Sequence, residues 1–240
     1  MTAENSFVRS TSKSWPRWLD KGLVTATAAF FFLLPFQTRY IFRAPVDHGV
    51  PYEYGTLSVF LVEVIGWVII ALGAIKCRMK NEECKIKDVW FLVLPFFALI
   101  SIFWAADKAV ALQAAVRLLE GVLLCIVIST AINHKSQITN HKQYPNSNDQ
   151  STKLLRFGIL AAFIAGAALQ ALLGIYQFLS QSSFASTLLG MAVHDPRALG
   201  TSVVEFGEER WLRAYGGLPH PNVLGGYLVM ALAVALITWS

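Results

Sequence analysis

The chain has 240 residues, of which 55% are hydrophobic and only 15% charged, and its mean hydropathy is +0.51. A soluble globular domain carries about 25% charged residues, so this composition excludes an ordinary soluble fold and points to the lipid bilayer. The net charge of +5 comes with no stripe of interleaved aromatic and basic residues, so no nucleic-acid partner is expected.

Residues 1–18 read as a cytoplasmic N-terminal tail. Six apolar runs follow: Leu19–Phe36, Tyr54–Ile75, Val89–Trp104, Val110–Ala131, Leu154–Leu179 and Val223–Trp239. Each is near the ~17–25 residues that cross a hydrocarbon core of about 30 Å. The first is not a cleavable signal peptide, because no small-residue cleavage site follows Pro35-Phe36-Gln37. The expected fold is an all-α polytopic membrane protein, with residues 19–240 as one membrane domain of about six transmembrane helices. Residues 133–153, rich in Asn, Gln and Ser, read as a flexible cytoplasmic linker. Residues 180–219 read as a long periplasmic segment between spans five and six, and within it "FASTLLGMAV" (184–193) reads as an interfacial or re-entrant helix.

Basic residues set the orientation. With the N-terminus cytoplasmic, thirteen Lys and Arg fall on inner segments and six on outer ones, leaving Arg117 inside a span. Cys77 and Cys84 then lie on the inner side and Cys125 near the inner end of the fourth span, so neither a disulfide nor a zinc site is expected.

Three charges fall where lipid should be. Glu63 lies nine residues into the second span and Arg117 eight residues beyond Ala109. At ~1.5 Å per residue both sit roughly 12–14 Å below the outer surface. An isolated charge there costs at least ~2.5–3.5 kcal/mol, so such groups pair or line a polar cavity. A Glu63–Arg117 pair flanking a head-group entry groove is one reading, and an ion pair that only joins two helices is the plainer one. Glu120, three residues after Arg117, is the rival partner.

Residues 213–228, "RAYGGLPHPNVLGGYL", place an arginine, two glycines and a Pro-His-Pro-Asn bend directly before the last apolar run. Pro219 and Pro221 turn Leu218 and His220 away from helical dihedrals, so the helix starts no earlier than about Pro221, a residue suited to the first helical position. Gly216-Gly217 allows a conformation or a close approach closed to other residues. Free amides at a helix N-terminus beside Arg213 would make an anion site, for which the head group of a phosphorylated lipid is the expected ligand. The plainer alternative is a helix end with Arg213 as an interfacial anchor. His48 and His194 carry no special signal. Glu205, Glu208 and Glu209 read as a solvated charged face rather than a cation site, and Ala162-x-x-x-Gly166 reads as an intramolecular packing face.

The pattern Arg213-x-x-Gly216-x-x-x-His220-Pro221-Asn222-x-x-Gly225-x-Tyr227-Leu228 resembles the signature of the O-antigen ligase and polymerase superfamily, bacterial multi-pass enzymes acting on lipid-linked glycans. "SIFWAADKAVALQAAVRLLEGVLL" (101–124) and "ALLGIYQFL" (171–179) are weaker likenesses, and Gly217-Leu218 stands where the family more often has Thr-Phe. The resemblance implies a glycosyl transfer at the outer face of the bacterial inner membrane. The donor would be an undecaprenyl-pyrophosphate-linked glycan, and the acceptor lipid A-core, another glycan or a protein. It implies no metal and no cofactor. Arg213 would hold the pyrophosphate, with Gly216, Gly217, His220 and Asn222 as further substrate-binding residues. The family's base is a histidine on a later outer loop, beyond residue 240, so the chain reads as an N-terminal portion that is inactive alone. Two alternatives remain. A multi-span transporter would show helices broken at mid-membrane and an inverted repeat, and neither is visible. The other is a non-catalytic truncated remnant.

Overall fold

A computed structural model describes residues 17–47, 50–51, 55–80, 89–137 and 147–239. Among them are six α-helices: α1 (Arg17–Leu33), α2 (Leu61–Lys80), α3 (Val93–Ser101), α4 (Lys108–Gln137), α5 (Ser147–Ser180) and α6 (Pro221–Trp239). Three of these are long and apolar enough to cross a membrane, over Lys108–Thr130, Phe157–Ser180 and Pro221–Thr238.

The other helices depart from the expected runs for local reasons. α1 has 17 residues and stops two before Pro35, which cannot continue it. The second expected span starts too early. Residues Leu57–Phe60 form a strand, β4, pairing antiparallel with β1 (Arg39–Arg43), so α2 begins only at Leu61. The Phe60 amide donates to Glu63 Oε2 at 3.1 Å and caps that start. Glu63 is therefore in the first helical turn, not nine residues down a span. The third expected span is broken up: a 3-10 turn at Val89–Leu92, nine residues of α3, and another 3-10 turn at Ile102–Trp104. Nine residues of helix rise only about 14 Å.

The chain is also not purely helical. Strand pairs β1–β4, β2 (Val46–Asp47)–β3 (Val50–Pro51) and β5 (Val203–Phe206)–β6 (Glu209–Leu212) stand between the helices. "FASTLLGMAV" is not a helix. Ser186 and Met191 are bridged across a tight turn, in which Gly190, at φ +67°, lies against the backbone of Gln37. The linker is shorter than expected, because α4 runs to Gln137 and α5 starts at Ser147; no Gly or Pro stands at 131–137 or 147–153 to stop either helix. Residues 138–146 of that linker lie outside the described residues, as does His48.

In space the helices are neighbours in the order α3, α4, α2, α1, α5, α6. A hydrophobic core lies between α1, α2 and α4, where Leu23, Ile69 and Leu124 are buried with Phe30, Ile65 and Val127 packed around them. Gly66 admits the Glu120 carboxylate and Gly73 the Val127 side chain, so any larger residue at either position would collide with α4. Gly166 admits the Phe32 carbonyl in the same way, which makes the Ala162–Gly166 face an α5–α1 contact within one chain. Lys76 Nζ and Asp20 Oδ1 meet at 2.6 Å and fasten the end of α2 to the start of α1. α1 and α2 are thus antiparallel. Contrary to expectation, Cys77 is disulfide-bonded, while Cys125 is free and exposed; a reducing compartment governs whether a disulfide persists, not which sulfurs lie close.

Candidate functional site

The bend before α6 is built from its own residues. Helix α6 begins at Pro221, in the position that needs no amide donor. His220 is its N-cap: its carbonyl accepts from the Val223 and Leu224 amides at 3.0 and 3.2 Å. Its ring Nδ1 accepts from the Asn222 amide at 3.2 Å, the task that an Asp or Ser side chain usually performs. With Nδ1 occupied as an acceptor, the proton of the neutral ring lies on Nε2. His220 itself is exposed.

The amides expected to be free are not. Two fully buried glutamines of α5, Gln170 and Gln177, seven positions apart, hold this backbone. Gln177 Oε1 accepts from the Tyr215 and Gly216 amides at 2.9 and 2.8 Å, and Gln177 Nε2 donates to the Gly216 carbonyl at 2.7 Å. Gln170 Oε1 accepts from the Gly217 amide at 2.5 Å, while its Nε2 reaches the Pro35 carbonyl at 3.5 Å. Leu218 donates to the Tyr215 carbonyl. The glycines serve this clamp directly. Gly216 stands at φ +60°, and a Cβ there would sit 2.7 Å from Gln170 Oε1. Gly216 and Gly217 are buried, so the sequence-based picture of an amide cradle open to an anion gives way to a rigid, internally satisfied platform.

What the platform presents is made of side chains. Arg213 donates through one terminal nitrogen to Asn222 Oδ1 at 3.0 Å and through the other to Ser202 Oγ at 3.3 Å. Tyr215 is buried below them; its hydroxyl accepts from the Ser202 amide at 2.7 Å. The His194 ring stacks on Tyr215 at 3.8 Å and 13°, and the His220 ring approaches the same tyrosine at 6.4 Å. Desolvation by burial pushes the His194 pKa below its ordinary 6.5. Arg213, His220 and Asn222 are therefore brought together as the motif suggested. His194 and Ser202 join them without any motif, and only the tertiary fold reveals them. A guanidinium held by the Asn222 amide oxygen and the Ser202 hydroxyl suits an anionic, oxygen-rich ligand.

The neighbouring carboxylates have other partners. Glu205 lies 3.4 Å from Arg210, and Glu209 accepts from the Trp211 indole at 3.0 Å. Among the described residues no cluster of three His, Cys, Asp or Glu is arranged for a metal.

A second polar cluster lies between β4, α2 and α4. Arg117 Nε donates to Glu63 Oε1 at 2.6 Å, and its terminal nitrogen donates to the Ser58 carbonyl at 2.8 Å. Gln113 donates to the same carbonyl. The Arg117 and Arg39 guanidinium groups lie 5.2 and 5.7 Å from the centre of the Phe60 ring, within cation–π range. Glu120 is buried against Gly66 on the same face as this pair. At the N-terminus of α4, Asp107 caps the helix by accepting from the Ala109 and Val110 amides, and it pairs with Arg43 at 2.8 Å. The Val110 amide, then Arg43, hold its carboxyl below the usual carboxylate range. This gives the "WAADKAV" turn a helix-capping role.

No family model, no curated protein and no solved structure matches this chain.

Proposed function

We propose that this chain serves a multi-pass glycosyltransferase of the bacterial inner membrane, like the O-antigen ligases and polymerases, with its N-terminus cytoplasmic and about six spans. It would move a glycan from undecaprenyl pyrophosphate to a lipid A-core, glycan or protein acceptor on the periplasmic side. The observation that carries this reading is the convergence of Arg213, Asn222 and His220 on a rigid platform at the N-terminus of an apolar helix. A lipid-borne pyrophosphate would lie at that level of the bilayer. The donor's leaving group departs with the negative charge of its pyrophosphate, which a planar cation such as Arg213 would neutralise. Asn222 and Ser202 hold the guanidinium in place, so its orientation is set before the ligand arrives.

The test is binding. Protein reconstituted in nanodiscs is exposed to a photoreactive undecaprenyl pyrophosphate. Labelling should fall about tenfold in Arg213→Ala, the loss of one charge-assisted hydrogen-bonded contact. Equal labelling of both proteins would remove Arg213 from the donor site.

Transport is the second reading, favoured by one observation: Glu120, buried in an apolar helix beside the Glu63–Arg117 pair. Intramembrane ionisable groups commonly mark ion pathways. Solute or proton flux into proteoliposomes that disappears in Glu120→Gln would favour it over glycosyl transfer.

A further inference from the structure

Strand alternation and ladder register sort the β5–β6 hairpin into two faces. Val203, Glu205, Arg210 and Leu212 share one, on which Leu212 is wholly buried and Glu205 pairs with Arg210. Val204, Phe206 and Trp211 share the other, with Val204 directly opposite Trp211 in the ladder. This second face is open: Phe206 is 81% exposed, Val204 54% and Trp211 41%. Glu209, opposite Phe206, lies on it too, and its carboxylate takes the Trp211 indole N–H.

The open face does not stand alone. The Trp211 ring lies 6.1 Å from that of Phe178, inside the apolar segment Phe157–Ser180 of α5. Phe178 belongs to an exposed stripe with Leu172, Ile175 and Leu179, which share one side of α5 by helical spacing. In a membrane-crossing α5 that stripe faces acyl chains. Phe178 is two residues from the end of the segment, so Trp211 falls at the lipid–water boundary, where indole rings with one polar edge are enriched. The apolar stripe of α5 therefore continues through Trp211 onto Val204 and Phe206.

We propose that the β5–β6 hairpin is a membrane-surface element, lying along the bilayer with its Val204–Phe206–Trp211 face in the head-group and upper acyl region. The occupant of that face is lipid. Glu208 at the turn and Glu209 beside the indole set the depth: they stay among the head groups while the apolar face goes below them. The proposal rests on α5 crossing the bilayer and not on the glycan reading. It gives the outer segment a fixed seat, so the Arg213 platform, which follows directly after β6, is held at head-group height.

Depth-dependent quenching tests this. Single cysteines replace Phe206, Glu205 or Ile175 in the full chain, reconstituted sparsely into phosphatidylethanolamine–phosphatidylglycerol vesicles and labelled with an environment-sensitive fluorophore. The signal of the native cysteines, measured on the unsubstituted protein, is subtracted. Nitroxide placed shallow on the acyl chains should quench the label at Phe206→Cys at least about twofold more than that at Glu205→Cys, with Ile175→Cys also quenched. Equal quenching at 205 and 206, or none at 206, would overturn the proposal. Quenching at 175 but not at 206 would leave the α5 span standing without the hairpin; loss at both would take down the two together. A label at 206 shielded from both lipid nitroxide and a water-soluble quencher would overturn it in favour of a protein occupant.

Discussion

Glu63 and Arg117 pair at 2.6 Å across 54 residues of sequence. Gly66 meets Glu120 and Gly73 meets Val127 at the same separation of 54, so α2 and α4 run parallel in constant register. The ion pair sits at one end of this seam and the apolar contacts below it. Glu63→Gln and Arg117→Gln should each lower folded yield, because each strands the other charge, at a cost of at least ~2.5–3.5 kcal/mol if it lies in lipid. The double replacement should recover yield, read by size-exclusion chromatography in detergent. A double mutant no better than the worse single would show that the pair contributes nothing.

Gln177 satisfies two amides and a carbonyl of the bend. Gln177→Leu keeps the volume and leaves three buried backbone groups unpaired, at about 1–3 kcal/mol each. A drop in melting temperature of several degrees is expected, with increased hydrogen exchange at residues 215–217. An unchanged melting temperature would mean that water replaces the amide without cost.

Burial lowers the His194 pKa below 6.5, so the docked loop binds a proton less readily than the undocked one. Docking of residues 182–202 is therefore at full strength above about pH 6.5 and weakens as the pH falls through that value. Limited proteolysis of this loop should accelerate between pH 8 and pH 5. In His194→Phe, which keeps a ring on Tyr215, the rate should no longer depend on pH beyond the protease's own profile. A wild-type loop equally resistant at both values would contradict the coupling.

Much of this was legible in the sequence, unevenly. The start of α6 at Pro221 follows from proline stereochemistry, and the Glu63–Arg117 pair follows from the cost of bare charge in lipid. The depth of Glu63 did not follow, because hydropathy cannot distinguish the strand Leu57–Phe60 from one more turn of helix; only pairing with Arg39–Arg43 does. The occupied amides are not legible in the sequence for a related reason. Gln170 and Gln177 stand seven residues apart in an otherwise apolar helix, a signal that buried amides need partners, but the partners lie 39 and 47 residues away. His194 reaches Tyr215 only through the turn at Ser186–Met191, which carries no sequence mark beyond Gly190.

The proposed orientation puts Leu199, which is 98% exposed, on the periplasmic side and Pro145 on the cytoplasmic side. In intact cells an impermeant thiol reagent should modify Leu199→Cys but not Pro145→Cys. The reverse pattern would invert the topology and place the Arg213 platform away from any periplasmic donor.

The most direct measurement is glycan transfer in cells whose chromosomal copy carries a change at Arg213, read as glycosylated acceptor on a gel with membrane levels of the protein matched by immunoblot. Arg213→Lys keeps the charge but loses the planar fork that holds both Ser202 and Asn222. Transfer should fall at least about tenfold in Arg213→Lys and further in Arg213→Ala. Wild-type glycan transfer by Arg213→Ala at wild-type protein levels would contradict a donor-binding role for this site.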